Sequence, residues 1–465
     1  MKFPFKQPRS LIGRILLWGA LALLVLLIGG FLWLRSWLGS YLESEDFRLW
    51  LGHMTSKQLD AQCEYEPFHF SGLSVRADGF KAQGTQKAAF STLELDKIRT
   101  GINLRGLWNK ALEIDNVNID RFQISLGHTG APPVPESAIG IEPSQQKSPA
   151  APKNTWLSPR LDLRKVVVQE TDILWGEKTP QGGSLMKSQV TATPNGDAWN
   201  IVAKGGTVSQ HGEPDFQLDH IDLQYQSPIV DITEGLLNFP AGGNIGVTGN
   251  VNTEKNMEVH IKVNDVPVKP FLPPDDQSRL SGVVFADITV AGPMPVADSL
   301  DVSGNAHLEN ADVEGIPVLD FFAKLFPSPG FGKIRLDTAS ANFAYSGRKL
   351  TIANLMVEKK GVLALKGKIV ILGSHVDGDI DLGIPTTLAT LYPPLGMQVF
   401  KGSGGGYRWW HYSGPMSNLS EVLEHEIATA LPNMAFGIVQ GALKNVPKAD
   451  DVKKAAEGVF KFLPK

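Results

Sequence analysis

Cysteine is the residue that the sequence most nearly lacks. Cys63 is the only one among 465 residues, and a single thiol cannot close a disulfide within its own chain. An intramolecular disulfide framework is therefore excluded. Two interpretations of Cys63 stay open: a small apolar side chain near the start of a strand, or a thiol that reacts or pairs with another molecule.

Motifs of catalytic and nucleotide-binding sites are lacking as well. No GxSxG or Walker sequence occurs, and Gly402–Gly406 (GSGGG) has neither the glycine spacing nor the flanking strand and helix of a dinucleotide-binding loop. His425–Glu426 begins an HExxH sequence, but Thr429 stands where the second histidine would be. The sequence therefore predicts no catalytic residue, no metal site and no cofactor.

Positive charge is not in excess either. The net charge is −4, and the four basic residues that precede the first apolar segment leave the rest of the chain more negative still. A body of that sign does not attract the phosphates of a polyanion. We therefore do not expect nucleic acid as a partner.

One long apolar run is present, from Ile15 to Leu34, and it contains no charged side chain. A helix of that length spans about 30 Å, which matches the hydrocarbon core of a bilayer. All charges before it are basic, so residues 1–14 are expected in the cytoplasm and the bulk of the chain across the membrane. The alternative, a cleaved signal peptide, needs a shorter apolar core and small residues at the cleavage site, whereas this run ends in FLWLRSWL.

Residues 44–59 predict a short amphipathic helix after this run. Ser44 is a typical N-cap, and Glu45 and Asp46 suit the positive end of the helix dipole. Apolar residues then recur at helical spacing: Phe47, Trp50, Leu51 and Met54. The helix is expected to plug the end of the domain behind it or to lie on a membrane surface.

From Phe68 onward apolar and polar residues mostly alternate, as in half-buried strands. In the N-terminal region, 35–126, Asp78–Gly79 predicts a hairpin turn, and a change of parity within 112–126 predicts a β-bulge near Asp120–Arg121. In the central region, 156–300, Asn195–Gly196 is a further hairpin signal. The strand patterns of that region are Leu161–Trp175, Ser188–Thr193, Trp199–Ala203, Phe216–Tyr225 and Val259–Val263.

Between these regions, residues 127–155 contain six prolines and almost no large apolar side chain. Such a segment cannot bury enough surface to offset the entropy of ordering it, so it predicts a disordered loop.

The C-terminal region, 301–415, has the clearest pattern. Strands within 334–383 are separated by turn sequences at Ser346–Gly347, Lys359–Gly361 and Gly373–Ser374. Connections this short force neighbouring strands to be antiparallel. The predicted fold is mainly β: a long antiparallel meander with one N-terminal transmembrane helix. Short helices are predicted after Pro317 and in 416–465, at Asn418–Ala430, Asn433–Lys444 and Asp451–Phe462.

Two clusters admit both a structural and a functional interpretation. Asp377, Asp379 and Asp381 form DxDxD, the metal motif of some type II membrane glycosyltransferases, but in a strand all three would share the solvated face. Such enzymes also need parallel sheets with helical crossovers, which the pattern does not predict. Arg408–Tyr412 (RWWHY) predicts aromatics packed on the C-terminal helix, or a membrane-interface or ligand contact.

Two stretches resemble the AsmA-like family of envelope proteins in double-membraned bacteria. Leu104–Leu126 (LRGLWNKALEIDNVNIDRFQISL) is similar to the small loop and paired amphipathic strands near the family's N-terminus. Ala306–Leu382 resembles the strand, short helix and meander of its C-terminal region, including Gly367 and Gly378–Asp381. The two stretches cover less than a third of the chain.

The resemblance implies a sheet curled into an elongated trough, polar outside and apolar inside. It also implies a single-pass inner-membrane protein, with its N-terminus cytoplasmic and its bulk periplasmic, that binds or conducts phospholipid in outer-membrane biogenesis. By strand parity, the candidate lipid-contact residues are Ile352, Val357, Leu363, Leu365, Ile369 and Ile371.

Alternating strands fit a packed sandwich or barrel equally well. A second hypothesis is therefore a scaffold with a filled core that acts through outer-membrane or periplasmic protein partners in outer-membrane assembly. The glycosyltransferase is the third. The first two propose no catalysis.

Overall fold

The computed structural model describes residues 43–71, 74–85, 88–103, 111–127, 160–176, 182–294, 299–315 and 333–430. Several predicted segments lie outside the described residues: the transmembrane segment, almost all of the proline-rich segment, the helix after Pro317 and the two helices beyond Pro432. Within the described ranges, no helix combines the length and the apolar sequence that crossing a bilayer requires.

The chain forms two compact units, residues 1–169 and 170–465. The first unit begins with helix α1 (Glu45–Leu59) and continues with strands that pair only antiparallel among those described: β3 with β1, β2 and β4, and β4 with β5. The strands are β1 (Ala61–Tyr65), β2 (Phe68–Ser71), β3 (Ser74–Gly84), β4 (Phe90–Asn103) and β5 (Ala111–Leu126).

Helix α1 confirms the helix predicted over 44–59, and its second half docks on β1. The Thr55 hydroxyl lies 3.0 Å from the Tyr65 hydroxyl, and the backbone N–H of Cys63 donates to Ser56 Oγ at 3.0 Å. Leu59 packs against the buried cluster of this unit. The domain-plugging alternative is therefore the one that these contacts favour.

Two local predictions in this unit are wrong. β3 runs through Asp78–Gly79 without turning, because it pairs with β4 on both sides of these residues, and its pairing with β2 ends at Ser71 and Ser74. The register of β5 with β4 is continuous at Asp120–Arg121, so this pairing has no bulge there. Lys97 of β4 is left-handed (φ 52°), and its Nζ lies 3.9 Å from Asp120 Oδ2.

The second unit contains a longer series of strands, and β6 (Arg160–Trp175) includes residues of both units. Its other strands are β7 (Gly183–Asn195), β8 (Ala198–Lys204), β9 (Thr207–Gln210), β10 (Phe216–Gln226), β11 (Ile229–Asn238), β12 (Asn244–Asn252), β13 (Asn256–Pro267), β14 (Leu280–Pro293), β15 (Asp301–Glu314), β16 (Lys333–Arg335), β17 (Thr338–Ser346), β18 (Lys349–Lys359), β19 (Leu363–Leu372), β20 (His375–Pro385), β21 (Gly402–Gly404) and β22 (Tyr407–Pro415).

From β7 to β20 the strands follow one another in an antiparallel meander, and β22 adds to β20. β8 and β9 both pair with β7 and with β10, so they lie end to end between these two strands. β16 and β17 both pair with β15, and β21 pairs with β22. The predicted antiparallel meander is confirmed.

Tight turns make this meander possible. Ser346 pairs with Lys349, and the two residues between them, Gly347 and Arg348, are both left-handed (φ 56° and 66°). That is the turn geometry whose twist matches flanking strands. The hairpin signal at Asn195–Gly196 is also confirmed, since Asn195 pairs with Ala198.

Helices close the C-terminal part of this unit. They are α2 (Thr386–Leu391), a π-helical turn (Leu395–Val399), a 3₁₀ turn (Met416–Asn418) and α3 (Leu419–Ala430); a further 3₁₀ turn is Lys269–Phe271. Ile384, Leu395, Phe400 and Ile427 are fully buried among them. Trp410 is buried in the same cluster and donates to Glu426 Oε2 on α3 at 3.1 Å. Two aromatics of RWWHY, Trp410 and Tyr412, therefore pack in one cluster with the C-terminal helix, as predicted.

Gly367→Ala should destabilise this meander. Gly367 has φ +149°, and a Cβ there would collide with the backbone carbonyl oxygen of Asp379. A strained residue of this kind costs roughly 1–3 kcal/mol, so the midpoint of thermal unfolding should fall. Gly404→Ala is the matched control, because that position is exposed and open. Equal midpoints for the two variants would contradict the close approach.

Cys63 should react slowly with alkylating reagents. Burial raises the pKa of its thiol, and the weaker effect of the contact with Ser56 opposes this. Because the thiolate is the reactive form, iodoacetamide should alkylate the folded protein more slowly than the urea-unfolded chain at mildly alkaline pH. Equal rates, followed by mass spectrometry, would favour the reactive-thiol interpretation.

Candidate functional site: an apolar sheet face

The register of the second unit lines up apolar residues from strand to strand. One row of paired residues runs Ile221, Gly235, Val247, Ile261, Ile288, Gly304, Phe343, Ile352, Ile369 and Gly378. Since paired residues lie on the same side of a sheet, the row belongs to one face, which we call the apolar face.

The opposite face carries polar side chains. On β12 to β15 these include Thr248, Asn250, Glu258, His260, Lys262, Asp287, Ser303, Asn305 and His307, all exposed. His260 Nδ1 lies 3.1 Å from Thr289 Oγ1 on the next strand. The sheet therefore has one polar, solvent-exposed face and one apolar face.

Solvent reaches the middle of the apolar face. Ten half-buried side chains of β10 to β14 on this face form what we call the central patch: Ile221, Leu223, Ile232, Leu237, Ile245, Val247, Ile261, Val263, Val284 and Ile288. Five further residues of the face are buried: Leu218, Gly235, Val259, Val266 and Ala286. The core of a sandwich seals such positions far more completely.

The two ends of the central patch differ. Phe216, Phe239 and Phe271 form tilted ring pairs with centroids 5.4, 5.6 and 6.1 Å apart, at the end where β10 begins and β11 stops. At the other end of β10, Tyr225 continues the apolar face and is 38% exposed. Aromatic packing therefore closes one end, and the other reaches solvent.

Irregularities recur along the strands of this face. The register shifts between β10 and β11, β11 and β12, β13 and β14, β14 and β15, β17 and β18, and β18 and β19. Asp265, Asn310 and Asn354 are left-handed at three of these shifts. A bulge bends its strand and increases the twist, so bulges on successive strands favour a curved sheet.

All six residues predicted to contact lipid lie on the apolar face. Ile352 pairs with Ile369, and Val357 pairs with Leu365. Leu363, Leu365 and Ile369 pack against the buried cluster of the C-terminal helices, and Ile371 is buried with Leu350 and Val376. The chain's own side chains therefore pack on the face at five of these positions, and the sixth, Val357, is half-buried.

The sequence did not predict the central patch, because the pattern of no single strand distinguishes it from the rest of the apolar face. Alternation at Ile245, Val247 and Val251 was the available signal. Which part of an apolar face is covered depends on helices far away in the chain, so parity alone could not choose between the two regions.

The DxDxD carboxylates lie on the polar face, as predicted. Asp377 and Asp379 are exposed, and Asp381 is half-buried. His411 Nδ1 lies 3.0 Å from Asp381 Oδ1, and Lys366 Nζ lies 3.7 Å from Asp381 Oδ2. These contacts with side chains of neighbouring strands give the third carboxylate a structural role.

Two truncations should distinguish the covered from the uncovered part of the face. Ile384→Ala empties a fully buried position and should cost ~2–5 kcal/mol of unfolding free energy. Ile261→Ala should cost less than about 2 kcal/mol, because water already reaches part of that side chain. Denaturant midpoints measure both, and losses of equal size would show that the central patch is packed like the core.

No protein-family model matches the chain, and no curated protein is a significant match. The function is therefore inferred from the residues of the apolar face.

Proposed function

We propose that this protein is a membrane-anchored envelope protein of AsmA-like type that binds or conducts phospholipid along its apolar face. The observation that carries the proposal is the central patch: ten large apolar side chains on five consecutive strands, each still partly accessible to solvent. Exposed apolar surface of that continuity is typical of a surface that binds an apolar partner.

Hydrocarbon suits this surface. Each methylene of an acyl chain that leaves water gains about 0.8 kcal/mol, with no need for directional contacts. A long strip of branched aliphatic side chains offers that gain at every strand. The polar opposite face keeps the sheet in water, and the repeated bulges favour the curvature that would turn the strip into a trough.

The anchor and location come from the sequence. The apolar run Ile15–Leu34 and the basic residues before it support a single-pass inner-membrane protein with its bulk in the periplasm. In that place phospholipid is abundant on the membrane, and a strip of apolar side chains lets acyl chains move out of the bilayer without meeting water.

A scaffold is the second candidate function, and the sealed C-terminal cluster favours it. There the apolar face is filled by Leu395, Phe400, Ile427 and their neighbours, so this third of the sheet has a packed core. In the scaffold proposal the central patch receives an outer-membrane or periplasmic protein. In the lipid proposal the path is confined to the central strands.

Lipid mass spectrometry of the gently purified full chain tests the proposal. The wild-type protein should carry phospholipid. Ile261→Asp should carry several-fold less, because a carboxylate on the patch must be desolvated by bound acyl chains. His260→Asp is the matched control, since the adjacent residue of β13 is exposed on the polar face.

The outcomes separate the candidates. Phospholipid retained by His260→Asp and lost by Ile261→Asp, with equal circular dichroism spectra, supports lipid carriage. Equal amounts of phospholipid in the two variants contradict it. Absence of phospholipid from the wild-type protein and from both variants contradicts it as well. Ile369→Asp should instead unfold its region, because Ile369 packs against two buried clusters.

A further inference from the structure

The two ends of the central patch carry different kinds of aromatic side chain. Three phenylalanines that contact one another close one end: Phe216, Phe239 and Phe271. We call them the phenylalanine cluster. At the open end Tyr225 of β10 pairs with Trp199 of β8, and paired residues share a face, so both rings lie on the apolar face. The rings of the cluster are purely apolar, whereas Tyr225 and Trp199 carry a hydroxyl and an indole N–H.

The phenylalanine cluster joins strands that are not neighbours. Phe271 stands in the connection between β13 and β14, and β12 separates β13 from β11. Its ring centroid nevertheless lies 5.6 Å from that of Phe239, which follows β11, and 6.1 Å from that of Phe216 on β10. The connection therefore bends back past the end of β12, and its ring completes the closed end.

The distance between the two ends suits an acyl chain. On β12, Ile245 pairs with Leu237 near the closed end, and Val251 pairs with Val230, the partner of Tyr225, at the open end. The strand between Ile245 and Val251 is roughly 20 Å long. One acyl chain fills half of a bilayer's hydrocarbon core, about 15 Å. A chain that lies parallel to the strands therefore fits within the patch.

We propose that phospholipid binds with its headgroup at the Trp199–Tyr225 end and with the terminal methyl groups of its acyl chains against the phenylalanine cluster. The orientation rests on the proposed function, because it places the phospholipid of that same site. Tyrosine and tryptophan suit the boundary between hydrocarbon and headgroups, since their rings are apolar and their hydroxyl and N–H form hydrogen bonds. The rings of the cluster offer a methyl group close contact and offer a phosphate no donor.

This orientation makes Phe271 a residue that limits acyl-chain length. A chain longer than the patch meets the phenylalanine cluster, so its methylenes nearest the headgroup stay in water and contribute nothing to binding. Phe271 is half-buried and stands on a connection, outside the paired residues of the sheet. Its truncation should therefore open the closed end and leave the strand register intact.

Photocrosslinking to the detergent-purified full chain tests the orientation. The probe is phosphatidylethanolamine with a diazirine either at the terminal end of one acyl chain or beside its ester group, and tandem mass spectrometry locates the labelled residues. The terminal diazirine should label the phenylalanine cluster several-fold more than Trp199 and Tyr225, and the diazirine beside the ester should reverse that ratio. Equal labelling of both ends, or the opposite pattern, would overturn the orientation. Absence of label from the whole apolar face would contradict the proposed function and the orientation with it.

Competition between two lipids tests Phe271. The detergent-purified full chain is offered equal amounts of dioleoyl and dierucoyl phosphatidylethanolamine, which differ in chain length. Phe271→Ala should raise the bound ratio of the longer to the shorter lipid at least about threefold over wild type, because additional methylenes leave water. Phe271→Leu, which keeps an apolar side chain, should give a smaller rise without loss of thermal stability.

Phe285→Ala is the matched control. Phe285 is also half-buried, but it stacks on His307 of the polar face, with ring centroids 5.1 Å apart. The control should bind the two lipids in the wild-type ratio. An unchanged ratio in both Phe271 variants, or an equal rise in Phe285→Ala, would overturn the role of Phe271 and leave the proposed function standing. Wild-type protein that binds neither lipid would contradict the proposed function itself.

Discussion

Backbone register is the constraint on which the apolar face depends. Successive side chains of a strand point to opposite faces, so a slip of one residue would move Val247, Ile261 and Ile288 from one side of the sheet to the other. Antiparallel pairing between neighbours in the chain fixes that register locally through tight turns such as Gly347–Arg348. The face continues through register shifts because a bulge adds a residue and restores the common side.

The strands form the apolar face, and other elements of the chain cover it. Helices α2 and α3 and the π-helical turn fill the C-terminal part, where Leu395, Phe400 and Ile427 are fully buried. Over β10 to β14 the same kind of side chain stays half-buried. Dense packing is thus concentrated in the C-terminal part of the face, and the central patch stays partly accessible to solvent.

The cap formed by α2 and the π-helical turn has two different sides. Its inner side completes the core, and its outer side presents Leu391 and Met397 to solvent. The residues that anchor the cap are therefore not those that it exposes.

The sequence by itself determined the class of the fold. Alternation and short glycine turns predicted the meander and α1, because these are local properties of the chain. It failed at Asp78–Gly79 and Asp120–Arg121, because the pairing of β3 and of β5 with β4 continues through both positions. Parity placed Ile352 and Ile369 on the correct face. Only the tertiary structure decided which part of that face is covered, because burial depends on helices distant in the chain that pack on it.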